Sequence, residues 1–226
     1  MNPIWIELRN IEKSYAVGFR QTKQVLKNIS MDFHRGEIVG LVGESGSGKS
    51  TLGMILAGLL RYDAGELSIA GKVANYPFEP TLRRDVQILF QHPESSFDPR
   101  LVLEKSLLEP FKHYHIPYSA EILSNMLAPY GMTLEHLRRL PDQLSGGELQ
   151  RLAIIRVLSL SPKLIVLDEP TSMLDPISQA QILGILKELN RTAQITYLFI
   201  THDIDVANSF CDRIFQMKSG MVRGLA

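Results

Sequence analysis

Short apolar runs recur along the chain and alternate with longer amphipathic segments. A continuous apolar run at residues 38–42 is followed by a glycine-containing loop and by an apolar segment, residues 52–60, that is typical of a helix. Further strands are predicted at residues 4–8, 25–33, 66–69, 86–90, 164–167, 194–200 and 213–217. Buried strands that alternate with helices predict an α/β fold with a parallel sheet.

The pattern changes to helical segments between residues 101 and 140. Pro110, Pro117, Pro129 and Gly131 separate these segments. We therefore predict a single domain, residues 1–226, whose α/β core is formed by residues 1–91 and 161–226. A helical subdomain, residues 92–160, is inserted into that core.

A phosphate-binding loop is indicated at residues 43–51. Its glycines allow tight turns in which successive backbone N–H groups converge on phosphate oxygens. The positive end of the following helix would face the same charge. The strand, loop and helix together predict nucleotide binding by Gly43, Glu44, Ser45, Gly46, Ser47, Gly48, Lys49, Ser50 and Thr51.

The last residues of this loop carry its chemistry. The Lys49 ammonium can reach the β- and γ-phosphates, and the Ser50 hydroxyl can complete a Mg²⁺ shell, while Thr51 supports the same helix start. The alternative is a chance match, for which average residue frequencies give a probability on the order of 1% in a chain of this length. The flanking strand and helix lower that probability further.

A second helix start with small residues lies about a hundred positions further along. Ser145, Gly146 and Gly147 lead directly into an apolar helical segment. A helix N-terminus of this kind is an anion-binding feature. By itself, the same stretch is equally a serine N-cap with a capping-box glutamate, Glu148.

Two adjacent carboxylates end the apolar run at residues 164–167. The carboxyl end of a buried parallel strand is where α/β folds place ligands. Asp168 suits a Mg²⁺ shell, whereas Glu169, which points differently, suits a water placed for in-line attack on the γ-phosphate. A solvated acidic strand end is the alternative, and the phosphate loop makes it the weaker one.

Four other polar or aromatic residues allow a functional and an ordinary interpretation. His202 follows a strand and would lie beside Lys49 and Glu169 in a parallel sheet, although a lone histidine is most often a packing or surface residue. Tyr15 can stack on an adenine or be an ordinary edge aromatic. His113 and His115 do not share a helix face, so a surface or packing role is favoured over a metal site.

Composition excludes several classes of function. The 24 basic residues balance the 24 acidic ones, which leaves no electrostatic footprint for nucleic acid. The single cysteine, Cys211, excludes an intramolecular disulfide and fits a reducing cytosol. The charged N-terminus is unlike a signal peptide, and no apolar run approaches the ~20 residues of a membrane span. If this protein functions at a membrane, we therefore expect it to bind another chain that spans the membrane.

Together these motifs resemble those of ATP-binding cassette ATPases over nearly all of the 226 residues. The phosphate loop, the signature at residues 144–148, the pair Asp168 and Glu169, and finally His202 occur in the family's order. The resemblance implies an α/β P-loop NTPase fold with a RecA-like core and an inserted helical subdomain. It also implies ATP hydrolysis with Mg²⁺ in a head-to-tail dimer that closes on two ATP molecules.

The resemblance assigns several residues to nucleotide binding. Ser145, Gly146 and Gly147 of one chain would cap the γ-phosphate that the phosphate loop of the other chain holds. Asp175 would cross the dimer, and Tyr15 would stack on adenine. The two helix starts are therefore expected to meet only across an interface.

The resemblance also assigns catalysis and metal binding. Glu169, His202 and Gln91 are implied in hydrolysis, with Gln91 sensing Mg²⁺ and the attacking water. Ser50, Gln91 and Asp168 are implied around the Mg²⁺ ion. Residues 98–104 would face a transmembrane partner.

The loop at residues 91–99 is similar to that of the peptide and nickel importer branch, from which His92 and Asp98 depart. This similarity implies an energy-coupling subunit at the cytoplasmic face of the membrane. Its partners would be integral membrane permease subunits, a second ATPase copy in a homodimer or heterodimer, and a solute-binding protein of the same system. Since peptide members usually carry a further C-terminal stretch, the chain end soon after Gly220 favours nickel or metal-chelate members, or a shortened chain.

Two other functions share this chemistry. The ATPase of an export or lipoprotein-extrusion system would differ only in its partner. A chromosome or DNA-repair ATPase of the same superfamily would carry long coiled-coil or DNA-binding insertions, and the sequence shows neither pattern.

Overall fold

The computed structural model describes residues 3–18, 21–172 and 174–225. The strands in these residues are β1 (Ile4–Ala16), β2 (Thr22–His34), β3 (Ile38–Val42), β4 (Ala64–Ile69), β5 (Lys72–Val73), β6 (Val86–Leu89), β7 (Leu164–Asp168), β8 (Thr196–Thr201), β9 (Arg213–Lys218) and β10 (Met221–Leu225). The helices are α1 (Lys49–Leu56), α2 (Pro80–Asp85), α3 (Leu103–His113), α4 (Ala120–Leu127), α5 (Leu134–Leu137), α6 (Gly146–Leu158), α7 (Pro176–Ala193) and α8 (Ile204–Phe210). Among the helices so described, none combines the length and the apolar character that crossing a membrane requires.

The strands form two sheets. One is antiparallel with the order β2-β1-β4-β5. The other has the order β10-β9-β3-β8-β7-β6, in which only the edge pair of β10 with β9 is antiparallel. Parallel pairing brings the carboxyl ends of β3, β6, β7 and β8 to the same edge of this second sheet.

The two faces of the six-stranded sheet belong to two hydrophobic cores. In β8, Tyr197 and Phe199 pack into the core on the side of α3 to α8. Leu198 and Ile200 pack into the other core, which includes Leu52 of α1 and the inner face of the antiparallel sheet. The alternation follows from the two-residue period of a strand. The fold therefore has the six-stranded sheet as a middle layer that is apolar on both faces.

Helix α1 lies very close to the middle of this sheet. A Cβ atom at Gly53 would lie 3.0 Å from side-chain atoms of both Val166 in β7 and Ile200 in β8. Glycine therefore allows this approach, which places the first turn of α1 over the carboxyl ends of the neighbouring strands.

Helices α3 to α6 are inserted between β6 and β7. They contribute Leu103 and Leu107 from α3, Leu123 from α4 and Leu152 from α6 to the core on their side of the sheet. An inserted helical segment is what the sequence pattern predicts. Its exact limits, residues 92 and 160, stay a prediction.

The sequence pattern predicts β3 with the same bounds as observed, but α1 differs. The helix begins at Lys49 rather than at residue 52 and ends at Leu56 rather than at residue 60. It ends because Gly58 adopts a left-handed φ of 65°. The N–H of Gly58 then bonds to the Ile55 carbonyl, and the next N–H bonds to the Met54 carbonyl, which is the pattern of a Schellman motif.

Other differences concern short elements. Strand β4 begins at Ala64 rather than at residue 66, because Gly65 lets it lie against the backbone of β1, where a Cβ would be 2.5 Å from the Asn10 carbonyl oxygen. The sequence pattern did not predict β5, α2, α8 or β10. Two of these have recognisable starts, since Pro80 opens α2 and Asp203 caps α8.

Candidate nucleotide-binding and hydrolysis site

The loop between β3 and α1 is shaped by its glycines. Gly46 and Gly48 have φ angles of 76° and 115°, which side chains other than glycine rarely adopt. At Gly43 the constraint is space, because a Cβ would overlap the carbonyl oxygen of Met217 in β9. The loop therefore requires glycine for two different physical reasons.

The loop closes around the side chain of Lys49. Its Nζ atom donates to the carbonyl oxygens of Gly43, at 2.7 Å, and Glu44, at 3.0 Å. Only 5% of Lys49 is exposed. Burial lowers the pKa of this ammonium, while the nearby carboxylates of Glu169 and Asp168 act in the opposite direction. A desolvated positive charge is thus held inside the loop by carbonyl groups of the same loop.

Ser50 and Asp168, which are both predicted to bind Mg²⁺, lie in hydrogen-bond contact. The Ser50 hydroxyl donates to Asp168 Oδ1 at 3.1 Å, which joins the first turn of α1 to the end of β7. Burial raises the pKa of Asp168, and the Ser50 bond opposes that shift. A hydroxyl and a carboxylate are oxygen ligands that fit Mg²⁺. The described residues form no cluster of three or more His, Cys, Asp or Glu side chains that could hold a metal without the nucleotide.

Three strand ends bring Gln91, Glu169 and His202 together. Glu169 Oε2 accepts a hydrogen bond from Gln91 Nε2 at 3.3 Å and lies 3.2 Å from His202 Nδ1. Gln91 follows β6, Glu169 follows β7 and His202 follows β8. Parallel pairing of these neighbouring strands explains how residues so far apart in sequence reach one carboxylate.

The backbone of Glu169 leaves the strand sharply. Its φ angle is 48°, in the left-handed region, which costs roughly 1–2 kcal/mol for a residue with a Cβ. Its N–H donates to the Ile200 carbonyl at 3.0 Å, and its carbonyl accepts from the Ser172 hydroxyl at 3.1 Å. The turn directs Asp168 toward Ser50 and Glu169 toward Gln91, in agreement with the prediction that the two carboxylates point differently.

The signature residues form a capping box at the start of α6. Ser145 donates to Glu148 Oε2 from both its backbone N–H, at 2.8 Å, and its hydroxyl, at 2.7 Å, while the Glu148 N–H donates back to the hydroxyl at 3.3 Å. These bonds hold the pKa of Glu148 below its ordinary value. Space beside Gly146 and Gly147 is open. Among the described residues, no hydrogen bond links this turn to the phosphate loop.

Asp175 and Tyr15 lie apart from the Glu169 cluster of contacts. Asp175 caps α7, where its carboxylate accepts from the N–H groups of Ile177 and Ser178. Tyr15 is 36% exposed on β1, with Lys13 Nζ 5.7 Å from the centre of its ring. Their predicted roles at a dimer interface and against adenine stay predictions.

Sequence reasoning missed two polar residues that support this site. Gln150 on α6 is buried, and its Nε2 atom donates to the Pro170 carbonyl at 2.8 Å, directly after Glu169. The Ser172 hydroxyl lies 3.4 Å from Gln91 Nε2. A polar residue within an apolar helix was the available signal for Gln150, and the sequence has no comparable signal for Ser172.

A glycine loop around a buried lysine lies beside an acidic strand end at the carboxyl edge of a parallel sheet. This is the arrangement of the P-loop nucleoside triphosphatases. A family model described as ABC transporter matches residues 26–172. The chain belongs to the ABC transporter family.

Relatives with assigned names agree with this family. The nickel import ATP-binding protein NikE of Pseudomonas putida is 40% identical over 205 residues, which are 88% of this chain and 75% of that protein. The oligopeptide transport ATP-binding protein OppF of Streptococcus pyogenes is 35% identical over 225 residues, which are 96% of this chain and 73% of that protein. Both are ATP-binding proteins of transport systems.

Solved structures confirm the fold class. A dimeric post-hydrolysis structure of the ATP-binding cassette MJ0796, bound to ADP and Pi, has a TM-score of 0.86 and 33% sequence identity, with 97% of each chain covered. The fold is therefore the predicted α/β P-loop fold with an inserted helical segment. The chain is an ATP-binding, ATP-hydrolysing member of its family, and it has the family's energy-coupling role.

Proposed function

We propose that this chain hydrolyses ATP to drive an importer of peptides, nickel or metal chelates, as a dimer bound to a separate membrane permease. The names of the nickel and oligopeptide transport relatives support this assignment. The single observation that carries the hydrolytic role is the convergence of Gln91 and His202 on the Glu169 carboxylate. The solute itself would contact other subunits.

ATP binding would begin at the phosphate loop. The β- and γ-phosphates would take over the Lys49 Nζ bonds that Gly43 and Glu44 carbonyls now accept. Backbone N–H groups of residues 43–51 would hold the same oxygens. The Ser50 hydroxyl and the Asp168 carboxylate would hold a Mg²⁺ ion, which supplies positive charge to the phosphates when bound. Exposed Tyr15 would offer its ring to adenine.

Hydrolysis would depend on Glu169. A carboxylate at the end of β7 can orient a water and accept its proton as the water attacks the γ-phosphate. The Gln91 amide and the His202 ring both lie against Oε2, so they would fix the direction of this carboxylate. His202 would also be near enough to the γ-phosphate to donate to it.

A second subunit would complete each site. Among the described residues, the hydrogen bonds of the turn formed by Ser145, Gly146 and Gly147 lie within its own helix start, and nothing lies within 3.8 Å of a Cβ built at either glycine. The turn can therefore present N–H groups to an ATP on a facing chain. The dimeric structure of a related cassette with ADP and Pi supports this arrangement. Asp175, at the start of α7, would lie at the same interface.

A groove beside the inserted helices would receive the permease. Its volume is about 760 Å³, and Phe90, Phe97, Asp98, Arg100 and Arg156 are among the residues that line it. Part of it is formed by the segment predicted to face a transmembrane partner. Its lining combines apolar residues with Asp98, Arg100 and Arg156, a mixture that suits contact with a loop of a membrane protein. This contact would place the chain at the cytoplasmic face of the membrane.

The hydrolytic role is tested by Glu169→Gln. The amide preserves the size of the side chain and removes the proton acceptor, so we expect ATPase turnover to fall roughly 10²- to 10⁴-fold. ATP binding should be retained, and an ATP-dependent dimer should accumulate in size-exclusion chromatography. Glu188→Gln is the matched control, because Glu188 pairs with Arg191 on the exposed face of α7. Rapid turnover by Glu169→Gln would remove Glu169 from this role.

The transport role is tested with the membrane proteins that co-purify with this chain in detergent. Reconstituted into vesicles with ATP on the side of this chain, they should accumulate a peptide, Ni²⁺ or a metal chelate on that side. Movement of solute away from the ATP side would assign the chain to an export system instead.

A further inference from the structure

His136 connects the start of α5 to the start of the signature helix. Its Nδ1 atom accepts the backbone N–H of Thr133 at 3.1 Å and lies 2.9 Å from the Thr133 hydroxyl. A backbone N–H can only donate, so Nδ1 must be the acceptor nitrogen. In the neutral ring the proton is then on Nε2. The cap of α5 thus selects the ring nitrogen that can donate elsewhere.

That proton-bearing nitrogen faces the signature turn. His136 Nε2 lies 3.5 Å from Glu148 Oε1, and the side chains are 18% and 26% exposed. The other carboxylate oxygen, Oε2, accepts both the N–H and the hydroxyl of Ser145. The nearby Arg151 guanidinium adds positive charge that favours the ionised carboxylate. The carboxylate thus has neighbours on two sides: the signature turn bonds to one oxygen at 2.7 and 2.8 Å, and His136 of α5 lies in longer contact with the other, at 3.5 Å.

We propose that His136 is a positioning residue for ATP hydrolysis: it fixes the Glu148 carboxylate, which in turn fixes the Ser145 backbone and hydroxyl for contact with ATP on a second subunit. This inference rests on the proposed function, in which Ser145 caps that ATP. A glutamate side chain has three rotatable bonds, and a contact at one oxygen leaves it partly free. The second contact reduces that freedom before the subunits meet, which is where preorganisation increases affinity.

The position of His136 in its helix allows variants that separate stability from positioning. It is the third residue of α5, where glutamine or glutamate can also accept the Thr133 N–H in a capping box. His136→Gln keeps that bond and also offers an amide N–H to Glu148. His136→Glu keeps the bond but places a second carboxylate against Glu148. His136→Ala removes both contacts.

The KM for MgATP and kcat are measured for the three variants. We expect His136→Glu and His136→Ala to raise KM roughly 3- to 10-fold, the size of one lost supporting contact. At saturating MgATP, kcat should change little, and His136→Gln should match the parent chain. Binding of a fluorescent ATP analogue to the isolated subunit should be the same in all, because the phosphate loop is untouched. A parental KM in His136→Glu, with its thermal midpoint unchanged, would overturn the positioning role.

Ser145→Ala distinguishes this inference from the function on which it rests. If it leaves turnover and ATP-dependent dimer formation unchanged, the shared site fails, and the role of His136 fails with it. If Ser145→Ala lowers both while His136→Glu and His136→Ala retain the parental KM, only the role of His136 is lost. Lower turnover in Ser145→Ala together with a raised KM in His136→Glu supports both.

Discussion

The phosphate loop and the signature turn are both glycine-containing helix starts, but they relate differently to the rest of the chain. The phosphate loop is held by long-range contacts, since Gly43 packs against β9 and Ser50 bonds to Asp168. The hydrogen bonds of the signature turn lie within residues 145–148, its contact with another element is the longer one from His136 to Glu148, and a Cβ at Gly146 or Gly147 would meet nothing closer than 3.8 Å. The phosphate loop is therefore fixed by contacts with distant parts of the subunit, whereas the signature turn lies at its surface.

This difference indicates which side of the proposed site is complete before assembly. Loop, lysine and carboxylates are already in contact within one chain, so a subunit alone can bind a nucleotide. The signature turn, by contrast, can act in nucleotide binding only when a second subunit brings its ATP to it. Changes to the two regions should therefore separate nucleotide binding by one subunit from events that need two.

Among changes that compare the two helix starts, the largest effect is expected for Lys49→Ala. Loss of a desolvated ammonium that would bond to phosphate should lower ATP affinity of the isolated subunit roughly 10- to 100-fold, from about 1.5–3 kcal/mol for a charged hydrogen bond. Isothermal titration calorimetry measures this affinity. Lys163→Ala is the control, because its ammonium pairs with Asp85 at the surface. Unchanged affinity in Lys49→Ala would contradict the idea that the loop alone forms the binding half.

A glycine-to-alanine substitution in each region should have opposite effects on stability. Gly43→Ala would force a Cβ against the Met217 carbonyl, so we expect a loss of about 1–3 kcal/mol in the free energy of unfolding. Gly147→Ala meets nothing closer than Arg151 Nη1 at 3.8 Å and lies in a helix, where alanine is favoured over glycine. Its stability should be equal to or above that of the parent, while ATPase turnover falls.

Urea unfolding and ATPase assays at one protein concentration measure both variants. Gly71→Ala is a useful comparison for Gly43→Ala, because its φ of 74° is strained for alanine but its surroundings are open. Equal destabilisation by Gly43→Ala and Gly147→Ala would contradict the idea that the phosphate loop is tightly packed and the signature turn is not.

The smallest effect is expected beside the proposed adenine platform. The Lys13 ammonium and the Ser14 N–H donate to Asp63 at 2.8 and 2.7 Å, and the Lys13 bond is the chief reason that the pKa of Asp63 is below its ordinary value of 3.8. A depressed carboxyl pKa contributes stability above pH 3.8 that is lost as pH falls through the folded-state value. Asp63→Asn should cost about 0.2–1 kcal/mol at pH 7, the range for exposed pairs.

That difference between Asp63→Asn and the parent should shrink as the pH is lowered toward 3. Urea unfolding at several pH values measures it, and ATP affinity should weaken slightly through the neighbouring Tyr15. A difference that is independent of pH would show that the Asp63 charge is not the stabilising feature.

The parts of the fold that were predictable depend on local patterns. Strand β3 and the end of β7 are marked by continuous apolar residues, and the glycines beside β3 mark the loop, so their neighbours in space could be inferred from parallel pairing. The placement of His202 beside Glu169 followed from the same inference, whereas the position of Gln91 near the attacking water came from the family resemblance. Their chemical roles stay predictions.

The parts that were not predictable depend on contacts between distant residues. The left-handed φ of Glu169 is held by a bond to Ile200, and no local pattern at residue 169 reveals it. The contacts of Gln150 and His136 arise only when α6 packs beside neighbouring elements. Helices α2 and α8 are too short for an apolar period to show, although their first residues are typical caps.

The bond from Gln150 to the Pro170 carbonyl has a consequence for communication between sites. Gln150 lies five residues beyond Ser145 on the same helix, a separation of about 7.5 Å along its axis at 1.5 Å per residue. A backbone shift at Pro170 during phosphate release would displace Gln150 and, with it, Ser145, which in the proposed dimer contacts the ATP of the second subunit. Hydrolysis at one ATP site of the proposed dimer would thus be coupled to the other ATP site through a hydrogen bond inside a single subunit.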